Sequence, residues 1–128
     1  MVTTAVATVD DAISRALEAI APYVKQGFTV RDDQWGGDLG VREQKAIPHT
    51  LFRGNDYWFC MGSDVDNARV SIHVYDSRGK LAESDSWQRG HFAASRVQPT
   101  GTGTYYIIVE VVSSPTERTH WAMAYAYK

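Results

Sequence analysis

The sequence predicts a mostly β fold: an antiparallel, jelly-roll-like β-sandwich of seven or eight strands behind one N-terminal α-helix. Three observations predict it. Apolar residues recur with period two from Phe28 onward, as half-buried strands require. Turn residues punctuate that stretch about every 8–12 residues, the rhythm of sandwiches and barrels. A helical period occurs only before Phe28, so the strand–helix alternation of a parallel sheet is missing. A chain of 128 residues fits one domain that folds without disulfide or metal. The expected division is a flexible N-terminus over 1–9, an amphipathic helix over 10–26 and the sandwich over 27–128.

The helix opens on Asp10 and Asp11, whose carboxylates suit the free N–H groups and positive end of a helix start. Ile13, Ala16, Leu17, Ile20, Ala21 and Val24 then follow a 3.6-residue period, and Gly27 supplies a stop. Pro22 lacks a backbone donor and is expected to kink or shorten the helix.

Phe28 to Arg31 reads as a short strand and Asp32 to Gly40, rich in Gly and Asp, as a loop. Val41 to Phe52 reads as a strand with Pro48 marking an edge or bulge. After the turn at Arg53 to Asp56, Tyr57, Phe59 and Met61 share one face of a strand. Gly62 to Asn67 is a polar loop. Val70, Ile72 and Val74 then alternate with Ser71, His73 and Tyr75, which puts His73 on the outer face. Asp76 to Gly79 turns into a strand over Lys80 to Ser84. Phe92 to Val97 is a further strand. Pro99 to Gly103 turns into a central strand, Thr104 to Val112. In the last strand Trp121, Met123, Tyr125 and Tyr127 alternate with three alanines.

Composition narrows the function. The net charge is −2 with no basic stripe, which argues against nucleic acid. No run of 18 apolar residues exists, so no segment reads as a membrane-spanning helix. The single cysteine, Cys60, sits among strand residues and reads as a small buried apolar group. The histidines, His49, His73, His91 and His120, lack the spacing of a helical zinc motif, although His49 and His120 could meet across strands. No nucleophile elbow, phosphate loop or dinucleotide fingerprint occurs, and Gly101-Thr102-Gly103 precedes a strand, not a helix.

Two groups of residues remain as candidate sites. Asp64, Asp66 and Asn67 share a polar loop, and Asp76 ends the next strand. Closely spaced oxygen ligands of this kind suit calcium, although an ordinary solvated turn has the same composition. Trp35 and Trp87 fall in an expected loop and at an expected strand end. Exposed aromatics there can stack on sugars or anchor a protein, or else cap the open ends of the sandwich.

Three segments in order resemble the bacterial pre-peptidase C-terminal domain family. They are Gly54-Asn55-Asp56-Tyr57-Trp58-Phe59, then Val70 to Tyr75 followed by Asp76-Ser77-Arg78-Gly79, and Gly101-Thr102-Gly103-Thr104-Tyr105-Tyr106-Ile107-Ile108-Val109. The resemblance implies a jelly-roll-like sandwich of an exported bacterial protein, secreted or periplasmic, with its signal peptide removed; a cytoplasmic location is the alternative. It also implies calcium binding in some members, for which Asp76 and the Asp64–Asp66 loop are the nearest positions here. The sequence departs from the family in its N-terminal helix and in lacking an attached protease domain.

These readings converge on a non-catalytic binding or accessory module that contacts a protein or a polysaccharide. The alternatives are a structural or self-associating protein, a homo-oligomer joined through the helix or an edge strand, and a small hydrolase built on the Asp and His residues.

Overall fold

The structure is a computed structural model that describes residues 9–128. Apart from Val9, the N-terminus expected to be flexible lies outside those residues. Helix α1 (Val9–Lys25) precedes eight strands. These are β1 (Thr29–Leu39), β2 (Gln44–Leu51), β3 (Tyr57–Ser63), β4 (Arg69–Tyr75), β5 (Glu83–Arg89), β6 (Phe92–Val97), β7 (Gly103–Ser113) and β8 (Thr119–Tyr127). They form a five-stranded sheet in the order β1-β8-β3-β6-β5 and a three-stranded sheet in the order β2-β7-β4. All strand pairs are antiparallel. The chain alternates between the sheets through its first four strands, as a jelly roll does. β5 then joins β6 at the edge of the larger sheet; just before it Leu81 bridges to Tyr75, and Glu83 of β5 contacts His73 of β4.

The larger sheet is covered on both sides. Tyr57, Phe59 and Met61 of β3 and Trp121, Met123 and Tyr125 of β8 face the second sheet. There they meet Ile72, Val74, Ile107 and Val109. Trp58 and Cys60 point the other way with Ala94, Ala122, Ala124 and Ala126, beneath the helix. This explains why β3 is buried at every position rather than at alternate ones.

The helix is built to lie close. Its buried residues are Ala12, Ala16, Ala19 and Ile20, while Leu17 and Val24 are exposed. The expected apolar stripe is thus rotated toward small residues. Beneath it, Gly62 has no room for a side chain, because a Cβ there would lie 2.5 Å from the Arg15 Cβ and 2.8 Å from the Arg15 backbone carbon. Pro22 does not end the helix, which continues to Lys25.

Two elements differ from expectation. Residues 32–39, expected as loop, belong to β1, which runs along β8. Gly36 is there for close approach: its Cβ would meet Val9 Cγ1 at 2.7 Å and the Trp121 carbonyl at 3.1 Å. The strand expected over Lys80 to Ser84 is displaced to Glu83–Arg89. Asp76 explains the delay, since its Oδ1 accepts the N–H groups of Arg78 and Lys80, each at 2.9 Å, and holds the chain in the turn. Pro48 lies on β2, an edge strand, and Thr104 to Val112 forms most of the central β7, both as expected.

Candidate functional site: an aromatic cleft between the sheets

β1 and β2 are consecutive strands on different sheets, each at an edge. The sandwich is therefore open between them. β1 carries a bulge there: Val30 pairs with Ala126 and Gln34 with Ala124, so Arg31, Asp32 and Asp33 stand opposite the single residue Tyr125. Such an insertion bends an edge and re-aims its side chains. Arg31 and Asp33 consequently line a cleft of about 340 Å³ together with His49, Phe52, Tyr57, Tyr125 and Tyr127.

Inside the cleft several polar groups pair with one another. His49 Nε2 and the Tyr125 hydroxyl lie 3.1 Å apart. The Tyr57 hydroxyl accepts the Phe52 N–H at 3.0 Å and the Asn55 amide at 3.1 Å. Trp35 packs edge-on against His49 with ring centroids 5.4 Å apart. Burial pushes His49 below the ordinary histidine range and Tyr125 above the ordinary phenol range. Both are therefore uncharged at neutral pH. The cation at the mouth is Arg31, 5.4 Å from the centre of the Tyr127 ring, and Phe52 beside it is 53% exposed.

The residues singled out from sequence are scattered. Trp35 is half-buried on β1 and packs against the core at the inner end of this cleft. Trp87 lies on β5, far in sequence and on the helix side. Its indole N–H donates to the Tyr23 hydroxyl at 2.7 Å and Arg89 lies over its ring. Trp58 and Trp121 are buried packing residues. His49 and His120 do not meet; the latter faces Asp64, with Nδ1 3.7 Å from Oδ2. Cys60 is fully buried, and burial raises its thiol far above the ordinary range.

The four oxygen ligands are not brought together. Asp64, Asp66 and Asn67 precede β4 and Asp76 follows it, roughly 20 Å away along a seven-residue strand. Asp76 is engaged in its own turn, and Asp66 is exposed with Arg15 at 3.8 Å. Asp64 does have buried oxygens without a hydrogen-bond partner, and burial raises its carboxyl above the ordinary aspartate range. One such group is far short of the six to eight oxygens calcium needs. Among the described residues no three His, Cys, Asp or Glu side chains are grouped to hold a metal.

Sequence reasoning missed Arg31, Phe52, Tyr57, Tyr125 and Tyr127 as a group. The only signal was a run of aromatics on strands, which reads equally as core.

No family model and no curated protein matches the chain. Among solved structures, PliG of Aeromonas hydrophila, a periplasmic lysozyme inhibitor of g-type lysozyme, is similar. It is 14% identical with a TM-score of 0.56, over 80% of this chain and 90% of that chain. The SPBc2 prophage-derived protein YomS is 10% identical over 78% of this chain and 99% of that chain, with a TM-score of 0.36. The likeness to PliG shows a shared fold.

Proposed function

We propose that the chain is an exported, non-catalytic module that binds a protein through the cleft between β1 and β2. The observation that supports this reading is the composition of the cleft mouth. An exposed Phe52, an arginine stacked on Tyr127 and a tyrosine-lined interior are the side chains that dominate protein–protein binding energy. His49 with Tyr125, and Tyr57 with Asn55 and the Phe52 N–H, already hydrogen-bond to one another, so a ligand side chain can enter without stranding these groups. The shared fold with a periplasmic inhibitor of g-type lysozyme supports a lysozyme as the partner. Export is also what the pre-peptidase C-terminal resemblance implies, and that kinship is part of the proposal.

The test is a binding and peptidoglycan-lysis assay with a purified g-type lysozyme. Stoichiometric binding with loss of lysis is expected. Phe52→Ala and Arg31→Ala should each weaken binding about tenfold or more, as truncating a hot-spot residue does. Binding that neither substitution changes would place the interface elsewhere. No binding to g-type lysozymes at micromolar concentration would remove this partner class.

A further inference from the structure

We propose that the outer face of the three-stranded sheet is a second binding site, and that it takes a neutral, extended polysaccharide chain. Strand register sets the side chains of this face in three rows. Gln44, Glu110 and Ser71 form the first; Ala46, Ile108 and His73 the second; Pro48, Tyr106 and Tyr75 the third. Rows on one face repeat every second residue, so the three span roughly 13 Å along the strands. Gln88 of β5 walls the β4 side, and Gln44, Ser71, His73, Tyr75, Ile108 and Glu110 of these rows line a groove of about 590 Å³.

Each row suits one aspect of a sugar. Tyr75 lines the groove and offers an aromatic ring for the C–H face of a pyranose, with the exposed Tyr106 beside it in register. The first row presents an amide, a carboxylate and a hydroxyl, a mixed set of donors and acceptors that matches adjacent sugar hydroxyls. Two side chains of this face, one from the first row and one from the second, are held in place. Gln44 Nε2 donates to Glu110 Oε1 at 2.5 Å. His73 Nδ1 lies 2.9 Å from Oε1 of Glu83, whose side chain is 8% exposed and whose other oxygen accepts the Ser95 hydroxyl at 2.5 Å. This contact orients the His73 ring on the face. Charge favours a neutral ligand, because Arg69 and Glu110, both lining the groove, oppose each other in sign. Shape favours a flat, β-linked ribbon, because the rows lie on a sheet.

The test is an amide NMR titration of the whole chain with cellotetraose and with chitotetraose at millimolar concentration, with a sulfated tetrasaccharide as contrast. Shifts centred on Ser71, His73 and Ile108 are expected with a neutral sugar. Tyr75→Ala and Gln44→Ala should each weaken binding about tenfold, while Phe52→Ala, at the other site, leaves it unchanged. Gln44 is exposed, so its variant keeps the test valid should Tyr75→Ala unfold. Four results would overturn the proposal: no shift with either neutral sugar, a preference for the sulfated one, shifts centred on the β1–β2 cleft, or binding indifferent to both substitutions. Protein binding at the cleft is read separately, so either site can fail alone.

Discussion

The two sheets turn very different outer faces to their surroundings. The five-stranded sheet presents Gly62, Ala94, Ala122, Ala124 and Ala126, and a helix lies on them. The three-stranded sheet presents Gln44, Ser71, His73, Tyr75, Tyr106 and Glu110, which no helix among the described residues covers and which β5 borders only on the β4 side, through Glu83 and Gln88. The first face is smooth and apolar and gains stability by being covered. The second carries hydrogen-bonding and aromatic groups that tolerate water and can still bind. The contrast teaches that small residues mark where the helix must approach, with Trp58 stacked on Tyr23 completing the covered face, and that polar and amphipathic ones mark the face left open.

The comparison breaks most sharply at Gly62. Gly62→Ala forces a Cβ into the helix backbone, which cannot swing aside as a long side chain would. Overpacking of this kind costs about 1–3 kcal/mol, read as a lower urea midpoint with an unchanged slope. An unchanged midpoint would mean that the helix is loosely held.

Trp87→Phe is the next step down, at the rim of the covered face. It keeps most of the ring and loses the hydrogen bond to Tyr23. A loss of about 1 kcal/mol is expected, again in urea.

The buried Asp64 sharpens the comparison through pH. Its carboxyl titrates higher in the folded protein than in the unfolded chain, because burial disfavours the charge more than His120 favours it. The folded state therefore holds the proton more tightly, and stability falls as pH rises through the folded value. Asp64→Asn removes that loss. Its thermal midpoint should exceed the parent's at pH 7 and converge with it below the ordinary aspartate range. Added calcium tests the same group: a midpoint gain in the parent that Asp64→Asn abolishes would restore a cation role.

Most of the fold was legible because half-buried strands write a period of two into the sequence, as in Val70-Ser71-Ile72-His73-Val74. β1 was not, because Asp32, Asp33, Gly36 and Gly37 are turn formers by composition. Their strand conformation is imposed by pairing with β8 and by the helix passing over Gly36. The cleft was illegible for a related reason. Arg31 and Tyr125 come from two strands far apart in sequence and Phe52 from the turn after β2, and a bulge, which leaves no residue signature, brings Arg31 to the mouth.

The smallest effects should fall on the open face, and they decide whether the contrast is one of function. Gln44 and Ser71 touch water on one side, and neither supports a buried layer. Gln44→Ala and Ser71→Ala should each change stability by no more than about 0.5 kcal/mol, as surface substitutions do. Gln44 does hold Glu110, but an exposed hydrogen bond of this kind contributes little to folding. A larger loss in urea would mean that the Gln44–Glu110 contact belongs to the scaffold of the sheet. Near-neutral stability leaves that short contact without a folding role, and a side chain held in place on an open face without stabilising it is what a binding surface requires.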